Sequence, residues 1–183
     1  MEILNKLENP TRLKELNPTE TLIKIGVNEN PTICDIGAGT GIFTIAASEL
    51  TENKVYALEI NPDMLSLINE KAKSNNISNI ELVAVENDYF DITTNSIDIA
   101  IVVTVFHEIQ NKPTFLSEVM RILKPTGKVA FIEFHNRVTP MGPPPAHRIG
   151  IDDLKQTLTN NCFIEIGRFD LGENFYCAVF QPN

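Results

Sequence analysis

The sequence predicts a doubly wound α/β fold: a seven-stranded sheet, mostly parallel, with one antiparallel strand in a C-terminal hairpin. Three observations lead there. From Pro31 onward short apolar runs alternate with amphipathic segments, the pattern of strands joined by covering helices. Residues 97–104 are Ile, Val and Ala with little polar alternation, so that strand is buried on both faces and central. Residues 163–169 and 175–180 are joined by a link around Gly172 too short for a parallel crossover, so those strands pair antiparallel. A chain of 183 residues, 43% hydrophobic and 21% charged, fits one domain over 1–183, with a helical segment at 1–30 and a core at 31–181.

The polar N-terminal segment carries Asn9-Pro10 and Asn17-Pro18, which read as helix breaks and leave one or two short helices, the clearer over 19–25. Strand one is 32–36, and Ile42–Leu50 has helical periodicity. Strand two is 54–59. The helix after it opens on Asn61 as cap with Pro62 in its first position, and turns Met64, Leu65 and Ile68 inward. Strands three and four cover 80–85 and 97–104. A helix over 113–123, a turn at 124–127 and strand five at 129–133 follow. Residues 139–147 hold four prolines and form a loop, and a helix over 153–159 precedes the final hairpin.

Composition excludes several classes of function. Fifteen Lys and Arg against 24 Asp and Glu give a formal charge of −9, which repels phosphate backbones and anionic lipid, so no nucleic-acid partner is expected. Cys34, Cys162 and Cys177 form no CxxC pair and no closed disulfide framework, which points to a reducing, cytoplasmic setting and to small core residues in or beside strands. The N-terminus lacks a basic flank followed by an apolar run, and the longest apolar run, 99–106, is too short to cross a bilayer. Neither secretion nor membrane insertion is expected. His107, His135, His147 and Glu133 lack any HxH or HxxxH spacing, so no metal site is expected.

The chemistry-bearing motif is Asp35-Ile36-Gly37-Ala38-Gly39-Thr40-Gly41, where strand one gives way to a helix at the sheet edge that binds ligands in open α/β folds. Its glycines let the backbone approach a flat or bulky ligand. A dinucleotide fingerprint, GxGxxG, needs glycine at 42, and Ile42 stands there, which argues against a nucleotide-dependent oxidoreductase. Glu59 ends strand two, eighteen residues beyond Gly41, where a carboxylate can accept two ribose hydroxyls. A ribose is expected and a pyrophosphate is not.

Taken with Ala57-Leu58-Glu59-Ile60-Asn61-Pro62, Ser96-Ile97-Asp98 and Leu123-Lys124-Pro125-Thr126-Gly127, this motif resembles the class I S-adenosylmethionine-dependent methyltransferases, whose Rossmann-like sheet also has a reversed seventh strand. Phe106-His107-Glu108-Ile109 and Gly142-Pro143-Pro144-Pro145-Ala146-His147 resemble the small members related to the ubiquinone/menaquinone and arsenite methyltransferases. The resemblance implies S-adenosylmethionine as cofactor, S-adenosylhomocysteine as product and a small-molecule acceptor. It places the backbone of Gly37, Ala38, Gly39 and Gly41 beneath the methionine and ribose portions, with Asp35 orienting the ammonium. Glu59 then holds the ribose hydroxyls, Ile60 packs on adenine, and the carbonyl of Thr104 meets the methionine portion. The adenine amino group meets Asn87, which stands at a usually acidic position and can accept through its side-chain carbonyl, and the backbone amide of Asp88 meets the ring, with Glu86, Asn87 and Asp88 all left open for the amino contact.

His107 and Glu108 follow strand four on the substrate side. His107 either takes a proton from the acceptor during transfer or caps a turn. The acceptor pocket is expected beneath the N-terminal segment and the proline loop, with His147 and Arg148 at its mouth if the loop is a lid; the alternative is a rigid connector. The rival function is a non-catalytic protein that binds the cofactor or its demethylated product.

Overall fold

The computed structural model describes residues 6–86 and 89–183. Among the described residues α1 (Pro10–Leu16) and α2 (Pro18–Ile25) precede the sheet, after helical residues at 6–7. Both Asn-Pro pairs, expected to break helices, start them instead. Asn9 caps α1 by accepting from the backbone N–H of Thr11 at 2.9 Å, and each proline takes a first-turn position, where no backbone N–H is needed. Asn61-Pro62 begins its helix in the same way.

The core then runs β1 (Ile33–Ile36), α3 (Ile42–Leu50), β2 (Val55–Glu59), α4 (Pro62–Ser74), β3 (Ile80–Ala84), β4 (Ile97–Val103), α5 (Lys112–Ile122), β5 (Leu123–Phe134), α6 (Ile151–Asn160), β6 (Phe163–Leu171) and β7 (Phe175–Pro182). The seven strands form one sheet in the order β3-β2-β1-β4-β5-β7-β6. Only β7 runs against its neighbours, pairing antiparallel with both β5 and β6. The mostly parallel sheet with one reversed strand is therefore as expected.

One boundary differs. The expected turn at 124–127 lies inside β5, because Leu123 already pairs with Ile97 and Lys128 resumes the ladder at Ile99. The residues between them bulge, and a Cβ on Gly127 would come within 2.9 Å of the Ile97 carbonyl oxygen. Lys124 turns back to bind both carboxylate oxygens of Asp98 at 2.8 Å, while Asp98 accepts from the Thr32 N–H, so this ion pair ties β4 to the strands beside it.

Alternating residues of β4 feed two cores. Ala100 and Val102 join Phe115, Leu116, Val119, Leu154 and Leu158 from α5 and α6. Ile99, Ile101 and Val103 join Leu16, Leu22, Phe43 and Ala47 from α1, α2 and α3. Cys34 lies in the first core and Cys177 in the second, so the sheet separates their thiols, and Cys162 is exposed just before β6. The chain crossovers reverse direction between β1 and β4, and that switch point is where an open α/β sheet leaves a crevice at its strand ends. Among the described residues no helix is long and apolar enough to cross a membrane.

Candidate functional site

A cavity of about 190 Å³ occupies that crevice. Asp35, Gly37, Ala38, Gly39 and Thr40 line it from the end of β1, Glu59 from β2, and Val103, Thr104 and Val105 from β4. Gly39 has φ 53°, which L side chains rarely adopt, and a Cβ there would meet nothing nearer than Leu7 Cδ1 at 3.5 Å and the Gly37 carbonyl oxygen at 4.0 Å, so the glycine opens its face to the cavity. Gly41 starts α3 and packs against Ile68 of α4 instead.

Glu59 is organised by backbone donors. Its Oε2 accepts the Gly39 N–H at 2.8 Å, and its Oε1 accepts those of Ile60 and Asn61 at 2.9 and 3.0 Å. An ionised carboxylate has about four acceptor positions, so Glu59 keeps capacity on Oε2, the oxygen nearer the glycine turn. Asp35 is buried and accepts from the Thr44 hydroxyl at 2.6 Å. Burial pushes its carboxyl up to about 7, with the negative charge of Glu59 adding to the rise and the Thr44 hydrogen bond opposing it. The Ile60 side chain is 77% exposed beside Glu59 and outside the cavity lining. Asn87 and Asp88 lie outside the described residues.

The sequence reading missed Arg12. Asn9 caps α1 so that Arg12 and Leu16, four residues apart, share its inner face, and Arg12 is only 7% exposed. Its Nη2 donates to Thr104 Oγ1 at 3.0 Å, and its guanidinium lies 5.3 Å from the Phe175 ring centroid. Burial pulls the guanidinium down to about 10, opposed by the nearby Glu133, so it stays a cation at neutral pH. Among the described residues its buried Nε has no hydrogen-bond partner, nor has the buried Oγ1 of Thr40. Thr104 itself has φ 54°, a strained conformation for a β-branched residue that costs on the order of 1–3 kcal/mol and tends to occur at functional sites.

A second cavity of about 220 Å³ shares Leu7, Arg12, Thr104 and Glu108 with the first. Its remaining wall is His107, Phe134, Lys6, Asn9 and the loop residues Met141, Gly142 and Pro143. His107 sits in a single 3-10 turn, Phe106–Glu108, anchored by the fully buried Phe106 ring against Phe131 at 4.9 Å. The structure thus brings His107, Glu108 and Thr104 to the end of β4, with the N-terminal segment and the proline loop over them. His147 and Arg148 line neither cavity. Arg148 donates to the carbonyls of His135, Arg137, Met141 and Pro143 and to Thr139 Oγ1, at 2.6–3.0 Å, so it is spent on holding the loop together. His147 is exposed.

Glu133 was also missed as a site residue. It lies on the same face of β5 as Val129 and Phe131, wholly buried, with its carboxylate 2.7 Å from His107 Nδ1. A carboxylate on the inward face of an otherwise apolar strand was the available signal. No cluster of metal-ligating side chains is present among the described residues.

A glycine turn at the end of β1, an acid at the tip of β2, the switch-point crevice and a reversed seventh strand together define a class I S-adenosylmethionine-dependent methyltransferase. Residues 34–131, more than half of the chain, match the model of the methyltransferase domain family, and the chain belongs to that family.

It is 33% identical over 110 residues to the ubiquinone/menaquinone biosynthesis C-methyltransferase UbiE of Wigglesworthia glossinidia brevipalpis, a match covering 58% of this chain and 44% of that protein. It is 34% identical over 122 residues to the demethylmenaquinone methyltransferase of Oceanobacillus iheyensis, covering 62% and 49%. The chain spans about half the length of these relatives. Its fold matches a SAM-dependent methyltransferase from Aquifex aeolicus with a TM-score of 0.92 at 24% identity, over 98% of this chain and 97% of that one.

The cavity suits the cofactor this family implies. S-adenosylmethionine carries an ammonium, a carboxylate and ribose hydroxyls, and the cavity offers Asp35 to the cation, Glu59 to a hydroxyl and the guanidinium of Arg12, whose Nε is unpartnered among the described residues, to the anion. The open face of Gly39 gives the backbone approach that a nucleoside needs.

Proposed function

We propose that this chain transfers a methyl group from S-adenosylmethionine to a small, largely apolar acceptor. The observation that carries the reading is the shared wall of Leu7, Arg12, Thr104 and Glu108, which joins a glycine-floored cavity bearing Asp35 and Glu59 to a second one walled in part by Phe134, Met141 and Pro143. In this assignment Glu59 accepts one ribose hydroxyl on Oε2, the other position there being taken by the Gly39 N–H, while Asp35 orients the ammonium and Arg12 takes the carboxylate. Gly37, Ala38 and Gly39 lie beneath the methionine and ribose portions, and Thr104 meets the methionine end through its backbone. Ile60, with Asn87 and Asp88, falls to the adenine end. The cofactor supplies an activated methyl group on a sulfonium, whose transfer needs in-line placement and exclusion of water. The chain's own part is to fix Thr104 and Arg12 at the junction and to close the second cavity with Phe134, Met141 and Pro143. An aromatic ring, of the kind the name ubiquinone/menaquinone biosynthesis C-methyltransferase attaches to a relative, fits such a pocket.

The test is calorimetric titration with S-adenosylmethionine, followed by transfer of labelled methyl to a panel of quinols, phenols and thiols. Micromolar binding with transfer to at least one acceptor is expected. Binding without turnover on any of them would move the protein to the cofactor-binding, non-catalytic reading.

A further inference from the structure

Glu133 is a carboxylate with no exposure to water, set in a strand whose neighbouring residues are Phe131, Ile132 and Phe134. Burial there demands charge-assisted partners. Two of them come from one residue: Oε1 accepts the backbone N–H of His107 at 3.2 Å, and Oε2 lies 2.7 Å from its Nδ1. An ionised carboxylate only accepts, so the hydrogen sits on Nδ1 and the lone pair of the neutral imidazole on Nε2. The ring lines the acceptor cavity, at the end of β4 that also carries Thr104.

Charged groups reach His107 from every neighbouring element. Glu133 faces it from β5; Glu108 lies 3.7 Å from Nε2 on the same turn; Lys112 of α5 opposes both, and Arg12 of α1 balances Glu133. The hydrogen bond to Glu133 is the largest influence and raises the imidazole's proton affinity against the effect of burial. A purely structural tie between β5 and the turn accounts for the bond to the backbone N–H. It gives no reason for a second bond that sets the tautomer of a ring in a cavity wall.

We propose that Glu133 is the positioning residue that makes His107 Nε2 the proton acceptor for a hydroxyl-bearing acceptor of phenol type. The inference rests on the methyl-transfer reading above. In the step, an electron pair of the acceptor oxygen forms the bond to the methyl carbon; where the ring carbon that the hydroxyl activates attacks instead, it leaves a dienone that afterwards gives up the ring hydrogen to solvent and takes a proton back on oxygen. The C–S bond breaks with its pair going to sulfur, leaving a neutral thioether, and the hydroxyl proton passes to Nε2. The sulfonium's charge thus ends on an imidazolium facing Glu133, where it is stabilised as in other carboxylate–histidine pairs. A thiolate acceptor brings its electron pair without a proton and has no use for Nε2.

Nuclear magnetic resonance of the His107 ring, in the full chain without cofactor or acceptor, tests the pairing directly. Wild type should titrate above the ordinary 6.5 and show the Nδ1–H tautomer when neutral, and Glu133→Gln should lower the midpoint. An unmoved midpoint overturns the proposal. With a catechol acceptor, Glu133→Gln and His107→Gln should each lose about 10²–10⁴-fold in kcat, and the acid limb of the Glu133→Gln pH profile should move down. Glu133→Asp should recover part of the loss, transfer to a thiolate should fall far less than transfer to the catechol, and cofactor affinity should stay within twofold. If Glu133→Gln fails to fold, His107→Gln carries the kinetic test. Equal losses with catechol and thiolate overturn the proton-accepting role. A wild type that binds cofactor and shows the raised His107 midpoint but methylates nothing overturns the methyltransferase reading instead, and the acceptor assignment with it.

Discussion

Arg12 on the N-terminal helix donates to the side chain of Thr104 at the tip of β4, a 3.0 Å bond between residues 92 apart in sequence. It fastens the segment before the core to the one strained β-branched residue of the site. Arg12 lines both cavities, its Nε has no partner among the described residues, and in the proposed assignment its guanidinium takes the carboxylate of the cofactor. Arg12→Ala should weaken S-adenosylmethionine binding about 10- to 100-fold, since a hydrogen bond to a charged group contributes about 1.5–3 kcal/mol. Calorimetry with decarboxylated S-adenosylmethionine isolates the contact. Wild type should bind it more weakly than the natural cofactor, and the variant should bind both alike.

Glu59 has two jobs in the proposed assignment, and its variants should separate them. Glu59→Ala removes the ribose acceptor and also orphans the N–H groups of Gly39, Ile60 and Asn61. Cofactor affinity should fall by one to two orders of magnitude, at about 1.5–3 kcal/mol for the charged hydrogen bonds, and thermal stability should fall with it. Glu59→Gln keeps one accepting oxygen and should hold more of the stability than of the affinity. Unchanged affinity in both variants would remove Glu59 from the site.

Asp35 predicts a proton linkage. Its folded carboxyl sits near 7 against an ordinary 3.8, so the folded chain holds a proton that the unfolded chain has released. Its contribution to stability is full below about pH 4 and is lost as pH rises through 7. An ammonium beside it favours the ionised form. Binding should therefore release roughly 0.9 proton at pH 6 and tighten as pH rises toward 7. Titrations in two buffers of different ionisation enthalpy measure this, and Asp35→Asn should abolish it.

The sheet and the cofactor end were legible because both are written in local pattern. Burial on both faces made 99–103 of β4 an unbroken apolar run, and the glycine spacing reports backbone conformation directly. The acceptor end is written in long-range contacts. Arg12 sits in a polar stretch whose Asn-Pro pair reads as a break until its capping bond to Thr11 is seen, and only the fold brings it to Thr104. Glu133 and His107 are 26 residues apart, with no motif between them to signal a pair. Arg148 looked available to a substrate because nothing in sequence reveals that five acceptors around the proline loop consume it.

That loop yields the last prediction. Gly142 presses so closely on Phe134 that a Cβ would lie 2.6 Å from its ring, and Arg148 bonds to the loop's own acceptors while its guanidinium lies 5.3 Å from the same ring's centroid. The loop is thus built as a fixed strap whose Met141, Gly142 and Pro143 form one wall of the acceptor cavity. A lid would need those bonds to break at every turnover, whereas a strap keeps them and shapes the pocket at no ordering cost on binding. Arg148→Ala should leave cofactor affinity within twofold, raise the acceptor KM about tenfold and speed proteolysis within 137–148, because each lost bond stabilises the loop by about 0.5–1.5 kcal/mol. Deleting 143–145 should keep cofactor binding and lose transfer. If protection from protease in wild type instead appears only when an acceptor is bound, the loop closes on substrate and the strap assignment is wrong.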